Sequence, residues 1–460
     1  MTSKLMKKIS RRKFIKSTGS GVALMTLPGS TFSQMIQQPG KFTDFRALVC
    51  VFLFGGNDSF NMLVPRSSAE YNVYADSRQN LAIARGDLLP IQALNPDGSL
   101  YGLHPSMNAI HNLFESQRTA FVANVGPLIE PTTKEQYRNK SVKLPPQLFS
   151  HNDQQAQWQT LRGQKPSKTG WAGRVADLLR LNISSQRLAI NVSLSGNQLM
   201  QESEAAGSYV IGPNGPLAFL GFDTERPSSM NYFPDKQRIA FNQIIGANYT
   251  NLYEQAFAEI QGRAMANVDS VNSAFNSAPP LTTPFPASSL SQQLKTVAQL
   301  ISVREQLQMK RQIFFVATGG FDSHDDQIQN QPGLLSNVSE SINAFYNATI
   351  ELGVSSEVTT FTQSDFGRTL TSNGDGTDHG WGGVQMIVGD SVLGRNIYGV
   401  YPRLEIDGAD DVRGGRMIPT TSADQYAATL AKWIGIPDSD LVQVAPNINN
   451  FFQRDLGFLT

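Results

Sequence analysis

The chain has 460 residues, 40% of them hydrophobic and 17% charged, enough for one large α/β domain with an insertion or for two domains. Its formal charge is zero, but residues 1–36 hold seven of the 38 basic residues and none of the 38 acids, so the rest carries −7. A mildly acidic body offers no footprint for nucleic acid, and a single cysteine, Cys50, excludes an intramolecular disulfide.

Ser10-Arg11-Arg12-Lys13-Phe14-Ile15-Lys16 precedes a weakly apolar run at residues 21–27. That run is too short to cross a bilayer, so no stable membrane span is expected. The pattern resembles a twin-arginine export signal. Residues 1–36 are assigned to it, with the twin-arginine translocase as partner during export and a periplasmic or extracellular destination. No A-x-A cleavage site stands out, and the mature start is expected near residues 34–40. No cysteine lies near the run, so a lipid anchor there is excluded.

Residues 46–54 are apolar on both faces, as a central parallel strand requires. They end in Gly55-Gly56-Asn57-Asp58, where the glycines allow a tight turn and a close approach. Asp58 is a candidate metal carboxylate or a turn and helix-cap residue. Gly102-Leu103-His104-Pro105 leads into a helix carrying Met107, Ile110, His111 and Phe114 on one face, with Pro105 in its first turn. His111 is expected to be structural and His104 to start the helix. Residues 119–125 form a second buried strand. Ser150-His151-Asn152-Asp153 opens a helix running to Leu161, and two readings stand level there. Ser150 or Asp153 caps the helix, or the end holds a hydroxyl nucleophile or a phosphate, with Ser150 and His151 as the catalytic candidates. A helix at 171–181, a strand at 188–192 and loops over 195–230 follow. A long helix or two spans 235–275, a Pro-rich break 278–286, and a helix starts at Ser289. Residues 195–310 are expected to be a largely helical insertion.

Residues 313–318 form an apolar strand ending in Gly319-Gly320-Phe321-Asp322-Ser323-His324. A helix with Leu335, Val338, Ile342, Phe345 and Leu352 on one face stops at Gly353. A strand at 358–361 leads into Thr362-Gln363-Ser364-Asp365-Phe366-Gly367-Arg368, and a glycine-rich loop carries Asp378-His379. Strand, helix, strand makes a right-handed βαβ unit with parallel strands. Asp322, His324 and Asp365 therefore emerge at one sheet edge, where open α/β sheets place their sites, and the loop can return His379 to it. Imidazoles and carboxylates suit one or two divalent ions, Zn²⁺ or Mn²⁺ first. Arg368 is a candidate bidentate anion donor or a salt-bridge partner. A further strand at 384–388, an irregular stretch over 390–420 with Arg413 and Arg416, and a helix at 422–434 complete the chain. The capping box Ser422/Gln425 opens that last helix.

Together these motifs resemble the domain of unknown function 1501 family, a large family of exported bacterial proteins. The resemblance rests on Phe54-Gly55-Gly56-Asn57-Asp58, Leu103-His104-Pro105, Ser150-His151, Gly320-Phe321-Asp322-Ser323-His324, Ser364-Asp365-Phe366-Gly367-Arg368-Thr369 and Thr377-Asp378-His379-Gly380, and covers residues 45–455. That family is related to alkaline phosphatases and sulfatases. The resemblance implies an α/β, doubly wound, mostly parallel sheet of alkaline phosphatase-like type with the helical insertion. It also implies metal at the carboxyl edge, with Asp58 as first ligand, Asp322 and His324 as central pair, Asp365 as third acid and His379 as late histidine. Two departures stand out: Phe366 occupies the place where a histidine would follow the third acid, and Asp322 and His324 are only two apart. The expected activity is metal-dependent hydrolysis of a small anionic phosphate or sulfate ester, with Ser150 or a water attacking and Thr132 or Thr133 as the next hydroxyl choice. The rival expectation is an exported binding or assembly protein that keeps this fold.

Overall fold

Ala47, Val49, Val51 and Leu53 pack into one hydrophobic core, and Leu48, Cys50 and Phe52 into another. This alternation is the period-two geometry of a strand that is covered on both faces. The strand is Arg46–Leu53, here β1, and truncating Phe52 to Ala would cost about 3–5 kcal/mol. The computed structural model describes residues 42–94, 99–163, 167–183, 186–215 and 233–460. The expected export segment, residues 1–36, lies outside the described residues.

Eight further strands join β1, numbered in chain order. They are β2 (Thr119–Gly126), β3 (Asn191–Ser193), β4 (Ser208–Val210), β5 (Arg311–Thr318), β6 (Val358–Ser364), β7 (Gly383–Val388), β8 (Ile397–Tyr398) and β9 (Thr421–Ser422). The sheet order is β8-β2-β7-β6-β1-β5-β3-β4, with β9 also on β2. β1 lies between β5 and β6 and runs parallel to both. β7 runs antiparallel to β2 and to β6. Helices Ser289–Ser302 and Gln327–Glu351 cover one face through Leu294, Val297, Leu335 and Ile342. Helices Trp171–Leu179 and Ala423–Ile434 cover the other through Trp171, Val175, Tyr426 and Leu430. The sheet is therefore mostly parallel and doubly wound. The second helix of that face opens on the expected box, with Gln425 Oε1 accepting the Ser422 N–H at 2.9 Å.

Two expectations are corrected, at β6 and at the glycine-rich loop. β6 runs on to Ser364 because Thr362, Gln363 and Ser364 keep pairing with Val51, Phe52 and Leu53. Within the described part of 195–310, helices Phe233–Ile245, Leu252–Asn276 and Ser289–Ser302 are accompanied by the short edge strand β4. The glycine-rich loop is a hairpin, Arg368–Ser372 against Thr377–His379, which sets Arg368 opposite His379.

Candidate metal centre

The ends of β1, β5 and β6 are tied together by backbone geometry. Gly55 and Gly56 follow β1 with φ of 114° and 86°, a region closed to most side chains. A Cβ on Gly55 would overlap the Asp322 backbone, and one on Gly56 the Phe366 ring. Ser364 Oγ donates to Leu53 O at 2.6 Å and accepts the Asn57 N–H at 2.8 Å. The Phe321 N–H donates to Phe54 O at 3.2 Å. Asp58, Asp322 and Asp365 thus leave the carboxyl edge of three adjacent strands.

His151, Asp322 and His379 meet there, each offering a ligand atom within 4.8 Å of the others. His151 Nδ1 is 2.7 Å from Asp365 Oδ2, and its buried Nε2 lies 3.3 Å from Asp322 Oδ2 without hydrogen-bond geometry. His379 Nδ1 donates to Phe149 O at 2.7 Å. Both rings therefore have Nδ1 held by an oxygen and turn Nε2 inward, the arrangement that orients metal-binding histidines. His324 Nε2 sits 2.9 Å from His379 Nε2 and 3.1 Å from Asp322 Oδ1. Burial, with the charges of His151 and Arg368, holds His379 below the usual imidazole range against the Phe149 carbonyl, so the ring is neutral at pH 7 and keeps a lone pair on Nε2. Burial opposes ionisation of Asp322, but the Arg368 guanidinium, with His151 and His324, outweighs it and holds the carboxyl below its ordinary value. The set of imidazole nitrogens and one carboxylate fits a divalent ion with bonds of about 2.0–2.2 Å, which would draw the three slightly together.

Asp322, His324 and His379 are together as expected, and His151 joins them as a fourth neighbour rather than as a partner of Ser150. Asp365 is one shell further out. It is fully buried, its Oδ2 takes His151 Nδ1 and Gln155 Nε2 (2.8 Å), and its Oδ1 has no hydrogen-bond partner. Phe366 stands where the resemblance puts a histidine, and the imidazole beside Asp365 comes instead from His151, against whose ring Phe366 lies at 4.8 Å. Asp58 does not join the cluster. Its side chain is 1% exposed and ion-paired with the fully buried Arg78, and Gln327 donates to the same oxygen. Arg368 is also inward: it donates to Asp322 Oδ1 at 2.8 Å, to Gly55 O at 3.2 Å, to Thr377 Oγ1 at 3.2 Å and to Thr377 O. It positions Asp322 and does not face solvent. Ser150 Oγ donates to Asp153 Oδ2 at 2.7 Å and makes no bond to His151. Thr133 caps helix Lys134–Asn139, and Thr132 Oγ1 donates to Glu130 O at 2.9 Å. One signal for His151 was present in the chain: Gln155 stands four residues on, hence on the same helix face, and both donate to Asp365.

A family model described as "Protein of unknown function (DUF1501)" matches residues 46–423. The chain belongs to the DUF1501 family. No curated protein matches it. Among solved structures, this DUF1501 chain is similar to Ps i-CgsB at 9% identity, with 90% of this chain and 77% of that one covered and a TM-score of 0.35. A Bacteroides thetaiotaomicron structure from the metabolism of multiple glycosaminoglycans has 12% identity, coverages of 86% and 74%, and a TM-score of 0.32. The soluble domain of lipooligosaccharide phosphoethanolamine transferase A from Neisseria meningitidis has 8% identity, coverages of 89% and 95%, and a TM-score of 0.32. Likeness at this level lends nothing to an assignment of chemistry, which rests on the residues. No helix among the described residues is long and apolar enough to cross a membrane.

Proposed function

We propose that this DUF1501 protein is a metal-dependent hydrolase of phosphate or sulfate esters that works outside the cytoplasm. The observation that carries the reading is the convergence of His151 Nε2, His379 Nε2 and Asp322, with both Nδ1 atoms already held by Asp365 and Phe149 O. His324 stands by as a further donor. A bound Zn²⁺ or Mn²⁺ supplies a Lewis acid that polarises the ester oxygen and stabilises the charge of the leaving group. The chain's own residues would position its ligands: Arg368 fixes Asp322, and Asp365 fixes His151. Arg11 and Arg12 direct export on this reading. Lys at both positions keeps the charge but loses the guanidinium geometry, so the double variant is expected to stay in the cytoplasm, and normal export of it refutes that assignment.

The test is elemental analysis of protein folded in its own host, with turnover of p-nitrophenyl phosphate and p-nitrophenyl sulfate before and after chelation. Bound metal that is stripped together with turnover and restored by Zn²⁺ or Mn²⁺ supports the reading. Absence of metal, with melting unchanged by chelator, refutes it. The second reading is a non-catalytic binding or assembly protein. It is favoured by Ser150, whose hydroxyl is bound to Asp153, and by Arg368, whose guanidinium is turned inward. Metal binding without turnover of either ester selects it.

A further inference from the structure

Next to the Asp58–Arg78 pair, which Gln327 and Asn61 contact, lies a cleft of about 530 Å³, lined in part by Asn61, Ile83, His104, Gln327, Ile328 and Gln331. We propose that this cleft is a second ligand site and that it takes a neutral, saturated, polyhydroxylated molecule, that is, a sugar. The size lies within the range of small-molecule sites. A smaller hollow of about 180 Å³ lies beside Tyr101 and Tyr401.

The wall is polar and set in advance. Asn61 Oδ1 accepts from Tyr74 OH at 2.8 Å and from Arg78 Nε at 3.1 Å, while its Nδ2 donates to Leu81 O at 3.1 Å and to Gln331 Oε1 at 3.3 Å. Gln331 Nε2 donates to Asp58 O at 2.9 Å. These amides are oriented before any ligand arrives, so little ordering remains to oppose binding. His104 adds a defined donor. It is 6% exposed, and its Nδ1 accepts the Ser106 N–H at 3.1 Å, which leaves the hydrogen of the neutral ring on Nε2. Burial, against the pull of Asp58, lowers its pKa to about 4, so the ring stays neutral at pH 7.

The same lining decides what the ligand is. Among its described residues there is no Lys or Arg, and Asp87 stands exposed there, so a phosphate or sulfate is disfavoured. Among its described lining residues there is no Phe, Tyr or Trp, so a flat heteroaromatic base meets no large ring to stack on. Ile83, Ile328, Pro105 and Pro332 offer aliphatic surface to the C–H faces of a sugar ring, while the His104 Nε2–H and the half-buried Ser106 beside it meet its hydroxyls. The back wall also reaches the metal cluster through hydrogen bonds. Gln327 Oε1 accepts from Thr377 Oγ1 at 2.7 Å, Thr377 Oγ1 accepts from Arg368 Nε at 3.2 Å, and Arg368 holds Asp322.

The test is calorimetric titration of the full chain, as purified and after chelation, with D-glucose, D-galactose, D-mannose and maltose, and with choline as a cationic control. Saturable binding of at least one neutral sugar in both preparations is expected. Ile328→Trp fills the cleft from a side chain that is 54% exposed and therefore leaves folding intact; it should weaken that binding about tenfold or more. His104→Phe removes the donor and should act in the same direction. The site is refuted if no neutral sugar gives saturable heat, if binding is the same in Ile328→Trp, or if choline binds and the sugars do not. Because the chelated protein is titrated as well, loss of the metal reading leaves this result standing.

Discussion

Two turns in this molecule are built alike and end differently. β1 runs into Gly55-Gly56-Asn57-Asp58, and its parallel neighbour β5 into Gly319-Gly320-Phe321-Asp322. Both deliver an aspartate to the same sheet edge. Asp58 is sealed at 1% exposure against Arg78 and Gln327, whereas Asp322 is 46% exposed and faces three imidazoles. Strand and turn decide where a carboxylate emerges. What it does there depends on elements that arrive from elsewhere: helix Ser68–Arg78 for one, helix His151–Thr160 and the hairpin for the other.

The contrast breaks most readily at Arg78. Arg78→Ala leaves Asp58 buried without its cation and should cost about 3–5 kcal/mol in urea unfolding, while the folded fraction keeps its metal by elemental analysis. If the metal leaves as well, the two turns form one site and the distinction fails.

Acid should press on the sealed side next. His104 is held at about 4 in the folded chain against 6.5 in the unfolded one, so the unfolded state takes up the proton first as pH falls. The stability is fully present above pH 6.5 and is lost on the way down through pH 4, by about 3 kcal/mol. Asp424, raised by burial to about 7, runs the other way and loses stability as pH rises from 3.8. The difference between wild type and His104→Gln isolates the histidine, and a difference that is flat between pH 4 and 6.5 refutes its share.

Gly55→Ala forces a side chain into φ of 114° against the Asp322 backbone. It should cost about 1–3 kcal/mol and weaken metal binding by shifting Asp322. A variant as stable as wild type, with its metal intact, would show that the two turns are not locked together.

The smallest stability effect is expected at the open side. His379→Gln in chelated protein should change unfolding by under about 1 kcal/mol, yet it should abolish metal uptake. Undiminished metal in that variant would remove His379 from the centre.

The central position of β1 could be read from its residues because seven successive apolar side chains need cover on both faces. The emergence of Asp322, His324 and Asp365 at one sheet edge followed from strand direction, whereas for His379 the chain offered only a glycine-rich loop able to return it there. Two things could not be read. The antiparallel course of β7 is set by how the chain returns from the hairpin, not by the apolar run 384–388. Arg78 ends a short, weakly amphipathic helix with no motif to mark it, and only the fold brings it under Asp58. His151 was visible as a helix-start residue. Its bond to Asp365 spans a separation of 214 residues, which no local pattern encodes.

The pairing of β1 has a consequence for the order of events at the ribosome. Arg46 is partnered by Arg311 and Ala47 by Val358, so β1 must wait for residues synthesised far later. At about 5–20 residues per second that wait is on the order of tens of seconds. Throughout it, an apolar strand with two unsatisfied edges is an aggregation hazard. β1 can be paired along both edges only once the residues up to Ser364 have been made.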